Sequence, residues 1–250
     1  MKAARRIASW LRRHKRAREF AVPYSRDRDW KTPKEIRIAG KIVRLSLPQD
    51  QGTRIAFKDI FLEDVYGLRE ILAPPKTILD VGAHAGLFSL YARILFPAAV
   101  IHAYEPNPAM KLFLVHQADI GQFTVYYEGV GAHSEAGRLA TGVDSVFTQT
   151  VADSAGTVQI TAFSEALERI GGTIDLLKLD CEGCEWKVLE NSDAMQSVHA
   201  ITMEYHLAGD QRLESLHDHL GSLGFNISLS ESDGETNGRI WARRSPRPQV

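Results

Sequence analysis

The chain has 250 residues, of which 44% are hydrophobic and 24% charged, the balance of an ordinary globular protein. That composition excludes a mainly disordered chain, a collagen-like fibre and a disulfide scaffold. The net charge of −1 conceals an asymmetry. Eight of the 30 Lys and Arg residues fall within positions 1–20, against the single acid Glu19, so the remainder carries a net charge of −8. An acidic body argues against a nucleic-acid-binding core, because phosphate contacts need a basic surface. No apolar run is long enough to span a bilayer; the most apolar stretch, Leu87 to Tyr104, is interrupted by Arg93, Pro97 and His102. The start is Arg-rich but lacks the apolar core of a secretory signal, and two cysteines, Cys181 and Cys184, suit a reducing compartment. The expected location is the cytoplasm, with peripheral membrane contact as a variant.

Residues 2–20 carry Ala3, Ile7, Trp10, Leu11 and His14 at helical spacing, with Arg5, Arg12, Arg13 and Arg16 mostly opposite. A solvated arm or a helix docked on the body is favoured over a helix resting on an anionic membrane. Residues 21–34, with Pro23 and Pro33, form a linker. Glu35 to Leu47 alternates about Gly40 as a hairpin, residues 48–53 are a polar loop, and Phe57 to Leu72 is helical up to Pro74-Pro75. From Thr77 strands alternate with helices. Strands are expected at 77–81, 100–104, 123–128, 174–179 and 200–204, and helices at 87–95, 108–118, 163–170, 185–190 and 213–223. Residues 132–157 form a hairpin or irregular excursion. Such alternation implies a parallel sheet covered on both faces. The runs 225–229 and 239–242 close the chain as an antiparallel hairpin, and 245–250 is a disordered tail. Four segments result: a basic helix and linker (1–34), a hairpin and helix cap (35–76), the α/β domain (77–244) and the tail.

The turn after the first long strand, Asp80-Val-Gly82-Ala83-His84-Ala-Gly86, has two glycines four apart where a dinucleotide site has three. Asp80 before the turn would repel a pyrophosphate and favour a positively charged ligand, such as a sulfonium bearing an α-amino group. Glu105, ahead of Pro106, ends the next strand 23 residues beyond Gly82, where an acid can accept from both ribose hydroxyls. A nucleoside cofactor is favoured over the alternative that Asp80 and Glu105 are ordinary capping acids.

A third motif, Lys178-Leu-Asp180-Cys-Glu182-Gly-Cys-Glu185, places three acids at the end of another strand, and the following strand ends in Glu204-Tyr-His206. With these residues the chain resembles the FkbM-type family of class I S-adenosylmethionine-dependent methyltransferases over about residues 55–245. The resemblance implies a seven-stranded Rossmann-like sheet with a C-terminal antiparallel hairpin. It also implies that Asp80, Gly82 and Gly86 line the methionine end of the cofactor, that Glu105 binds ribose, and that Glu128, Gly129 and Val130 lie near the adenine. His84 stands where the family usually has Asn. The implied acceptor is a small molecule or glycan, with O-methylation of a hydroxyl on a sugar or polyketide-like product as the reaction.

Methyl transfer from a sulfonium is an in-line displacement in which the protein aligns the acceptor and excludes water. A hydroxyl acceptor also needs a base, for which Asp180, Glu182, Glu204 and His206 are candidates, His206 and Asp180 first. The same residues could hold a divalent metal, although pairing of Glu182 and Glu185 with Lys178 or Lys187, or helix capping, is the favoured alternative and no metal is expected. Cys181 and Cys184 are expected as small buried thiols. Glu63, Asp64 and Tyr66 are candidates for a lid over the cofactor. A nicotinamide-dependent oxidoreductase and a non-catalytic module binding a nucleoside or a membrane glycolipid remain as other functions.

Overall fold

The computed structural model describes residues 2–24, 30–140 and 149–245, with only the backbone for 2–6 and 149. The proposed tail, 245–250, lies outside the described residues except for Ser245. Helix α1 (Lys2–Glu19) is followed by the hairpin β1 (Glu35–Ile38) and β2 (Lys41–Arg44), paired antiparallel. Residues 39 and 40 turn it, both with positive φ. Helix α2 (Gln51–Phe57) begins inside the stretch expected as a loop, because Asp50 caps it by accepting from the Thr53 amide at 2.7 Å. It runs on as one π-helical segment, Lys58–Glu63. The helix expected to reach Leu72 ends there instead: Asp64 takes a left-handed conformation and accepts from the amides of Leu68 and Arg69.

The main sheet comprises β3 (Thr77–Val81), β4 (Val100–Tyr104), β5 (Thr124–Tyr126), β10 (Ile174–Leu179), β11 (Val198–His206), β12 (Phe225–Ser232) and β13 (Asn237–Arg244). Their order is β12-β13-β11-β10-β3-β4-β5. The first three, β10 and β11 are parallel, whereas β13 runs antiparallel to both of its neighbours. The chain therefore leaves β3 in one direction and returns on the other side at β10. That reversal opens a crevice beyond the carboxyl ends of β3 and β10, where open α/β sheets bind ligands.

The remaining strands, β6 (Gly129–Gly131), β7 (Glu135–Ala140), β8 (Gln149–Ala152) and β9 (Val158–Ala162), form a second, four-stranded sheet in the order β6-β9-β7-β8. The expected hairpin in 132–157 is its β7–β8 pair, and the loop 141–148 lies outside the described residues. Helices α3 (Leu87–Leu95), α4 (Lys111–Gly121), α5 (Phe163–Arg169), α6 (Glu185–Leu189), α7 (Ser192–Met195) and α8 (Leu213–Ser222) cover the main sheet. Alternate residues of each strand face opposite layers. Ile78, Ile101 and Leu176 join one core, and Leu79, Leu177 and Leu179 the other.

The first core also takes in the N-terminal elements. Phe20 is 2% exposed and meets Phe61 and Tyr91 edge-on, with ring centroids 5.2 and 6.1 Å away. Alongside, Arg13 pairs with Glu63 at 3.0 Å and Arg16 lies 3.7 Å from Asp64. Helix α1 is thus docked on the body. Arg13 and Arg16, rather than the apolar line of Ile7 and Leu11, face inward, because Glu63 and Asp64 at the end of the π turn meet them there.

Candidate active site

A cavity of 340 Å³ opens at the strand ends. Its floor is the β3–α3 turn. Gly82 has φ +82, and a Cβ there would fall 1.8 Å from the Asp180 carbonyl oxygen, so only glycine lets the β3 and β10 ends approach this closely. Gly82, Ala83 and His84 line the cavity, with Glu105 and Pro106 beside them. Glu105 is 8% exposed; its Oε2 accepts from the His84 amide at 2.7 Å and its Oε1 from the Asn107 amide at 2.8 Å. Burial raises its pKa, and the two amides work against that rise. His84 is pushed down to about 4, mainly by burial, and is neutral at pH 7. At the far wall lie Glu128, Gly129 and Val130. Glu128 accepts from Thr161 and pairs with Arg169 at 2.6 Å.

Two sequence candidates do not line this cavity. Asp80 is fully buried: its Oδ1 lies 3.2 Å from Lys178 Nζ, and its Oδ2 accepts from Ser89 at 2.7 Å. Its charge is met by lysine rather than presented to a ligand. Gly86 starts α3 with φ +81, and a Cβ there would meet Leu114 and Gln117, not the cavity. The negative field comes instead from Asp59, Glu105, Glu128, Asp180, Glu182, Glu204 and Asp233, against Lys178 and Arg239.

Lys178 is 2% exposed and donates to the carbonyls of Val81 and Gly82. Burial disfavours its charge, but Asp80, Asp180 and Glu105 outweigh that and raise its pKa. Its partners are therefore Asp80 and Asp180, not Glu182 or Glu185. Glu185, fully buried, accepts from the amides of Cys181 and Gly183 at 3.0 Å each and so holds the turn in shape. Cys181 and Cys184 are joined by a disulfide, with Cα atoms 5.4 Å apart, and both line the cavity. This corrects the expectation of free thiols: a tight turn carrying Glu182 at φ +56 brings residues three apart within bonding reach. It also removes the thiol argument for a reducing compartment. Among the described residues, no helix is long and apolar enough to cross a membrane.

Above Lys178 sits Tyr66, whose hydroxyl donates to Asp180 Oδ2 at 2.6 Å. Its backbone carbonyl accepts from Trp241 and Thr202, which pins it over the strand ends. Burial, reinforced by Asp180 and Glu204, drives its pKa well above 10, so it acts as a donor. Of the three lid candidates only Tyr66 reaches the cavity; Glu63 and Asp64 turn to α1. The Tyr-Gly pair before the first long strand is the sequence signal for this position, since Gly67 has no room for a side chain beneath Trp241.

Asp180, Glu182 and Glu204 line the cavity, while His206 stands just behind them. His206 Nε2 is 3.4 Å from Glu182 and Nδ1 3.2 Å from Glu185. Burial opposes its charge, but the hydrogen bond to Glu185 and the Glu182 and Asp180 carboxylates lift its pKa to about 9, so it is an imidazolium at pH 7. Burial, aided by Asp180, raises Glu204 to about 7; burial likewise raises Glu182 to about 7, despite His206. Ligand atoms of Asp180, Glu182 and His206 all lie within 4.8 Å of one another, a donor set that suits a divalent cation.

The seven-stranded sheet with its terminal hairpin and crevice is the class I methyltransferase fold. Magnesium protoporphyrin IX methyltransferase from Synechocystis PCC 6803, solved with bound S-adenosylmethionine, has the same fold (TM-score 0.51, 12% identity, 80% of this chain and 87% of that one). The model of the methyltransferase FkbM domain matches residues 80–227. The chain belongs to that family of S-adenosylmethionine-dependent methyltransferases. Among curated proteins it is similar to AMB antimetabolite synthetase AmbE of Pseudomonas aeruginosa, 26% identical over 230 residues, covering 72% of this chain and 11% of that protein. It is also similar to 31-O-demethyl-FK506 methyltransferase FkbM of Streptomyces tacrolimicus, 28% identical over 111 residues, covering 44% of this chain and 35% of that one. The chain thus spans about a tenth and a third of these relatives.

Proposed function

We propose that the protein transfers the methyl group of S-adenosylmethionine to a hydroxyl of a small molecule or glycan, such as a sugar or a polyketide-like product. The observation that carries this reading is that the Gly82 turn, Glu105 and Glu204 line one acidic cavity. Glu105 uses one lone pair of each oxygen on the backbone and keeps others for ribose hydroxyls. Gly82 lets a ligand approach the turn, and Glu128, Gly129 and Val130 would flank the adenine. The excess of carboxylates favours a sulfonium over a pyrophosphate. The similar protein from Streptomyces tacrolimicus is a 31-O-demethyl-FK506 methyltransferase, a name that places its methyl group on oxygen and supports an oxygen acceptor here.

Glu204 is the proposed base. With its pKa near 7 it is both available and basic at neutral pH, whereas His206 already carries its proton. Tyr66 would hold Asp180 in place beside the acceptor. Glu204 would take the proton of the acceptor hydroxyl, while S-adenosylmethionine, when bound, would supply the methyl group and its sulfonium the leaving group, a neutral thioether.

Incubating a cell extract with protein and methyl-labelled cofactor, then reading products by mass spectrometry, should reveal one compound that gains a methyl group on oxygen. Labelling on nitrogen or carbon alone would refute the oxygen assignment. With that acceptor, kcat/KM should fall about tenfold per pH unit below about 7, where Glu204 is protonated. Glu204→Gln should lose roughly 10²–10⁴-fold in kcat and the acid limb with it; a variant retaining both would exclude this base. Glu105→Ala should weaken S-adenosylhomocysteine binding roughly 10–100-fold in calorimetry, about the worth of one charge-assisted hydrogen bond. Unchanged affinity would remove Glu105 from the ribose site.

A further inference from the structure

We propose that the outward face of α1 is a seat for an anionic lipid surface. The helix is divided by its docking. Ser9, Arg13, Arg16, Ala17 and Phe20 turn to the body, where Glu63 and Asp64 neutralise the two arginines. Ile7, Leu11, Lys15 and Arg18 recur at steps of four, four and three, which places them along one line on the opposite side. All four are exposed, Ile7 by 60% and Leu11 by 55%. Arg12, its side chain 54% exposed, borders them and reaches Glu63 only at 3.8 Å. Two bare aliphatic side chains flanked by cations are the pattern of a helix lying in a headgroup layer: the aliphatics enter the acyl boundary while the cations meet lipid phosphates.

Charge supports lipid as the occupant. Beyond residue 20 the chain carries a net −8, so an anionic surface repels the body and attracts only this end, which orients the molecule. The docked arginines add nothing, since their charges are spent on Glu63 and Asp64. The remaining cations and the two anchors give reversible, salt-sensitive binding. This inference is independent of the acceptor and of the proposed base.

The test is sedimentation of the full chain with phosphatidylcholine vesicles, with and without roughly 30% phosphatidylglycerol. Binding is expected to the anionic vesicles alone, weakened by about 0.5 M salt. The double variants I7D/L11D and K15E/R18E should each lose about tenfold or more, a basic residue being worth about fivefold in affinity. Because all four side chains are exposed, the unfolding midpoint and S-adenosylhomocysteine affinity of both variants should match the wild type. Absence of binding to anionic vesicles at low salt overturns the proposal. So does equal binding by I7D/L11D, or preferential retention of a duplex oligonucleotide that ignores Ile7 and Leu11.

Discussion

Replacing Lys178 by methionine is expected to destabilise the fold by about 3–5 kcal/mol, the cost of leaving buried charges without their partner. The lysine is 2% exposed and sits 3.2 Å from Asp80, which is fully buried, and 3.7 Å from Asp180. Ser89 still donates to Asp80 and Tyr66 to Asp180, but neither supplies charge. For a chain of this size the unfolding midpoint should drop by roughly 6–20 °C. A cycle isolates the cause. D80N/K178M removes one unpaired carboxylate together with the lysine and should be more stable than K178M alone, because contacting charges are not additive. A K178M midpoint within about 2 °C of wild type would mean that the pair does not stabilise the strand ends.

Gly82→Ala should abolish measurable S-adenosylhomocysteine binding, a loss of about a hundredfold or more. Two costs combine. A side chain at φ +82 is strained by about 1–3 kcal/mol. The added methyl would lie 1.8 Å from the Asp180 carbonyl oxygen and 3.1 Å from Cys181 Cα. Both are backbone atoms and can yield only by parting β3 from β10, at about 1–3 kcal/mol. Gly40→Ala is the control: its φ is +80, but nothing lies within 4 Å of the added carbon, so it carries strain without collision, and Gly40 does not line the cavity. Calorimetry should show Gly40→Ala binding as wild type does. If Gly82→Ala also bound within about threefold, the proposed cofactor turn would be wrong.

Much of the framework is legible in the sequence. The strands 77–81, 100–104 and 174–179 and the helix 87–95 have their expected bounds, because glycine, proline or an acid stands close to each end. The glycine turn and Glu105 were visible through their spacing. Helix α2 was misplaced because its first turn is polar and its cap is a single aspartate. The second sheet was hidden because its strands are short and split by a long excursion. At the site, residue types announced an acidic cluster but not its protonation: His206 looks like a base in sequence and becomes an imidazolium only among Glu185, Glu182 and Asp180.

Local periodicity and turn chemistry, which act over a few residues, determined the parallel strands of the main sheet, the glycine turn after β3 and the family motifs. The tertiary structure alone decided who pairs with whom. Asp80 meets Lys178, Tyr66 meets Asp180, and Arg13 meets Glu63 only because β10 lies beside β3 and the N-terminal segment folds over both. Burial then sets whether each charged group faces a partner or the cavity, and that depends on the packing of segments far apart in the chain.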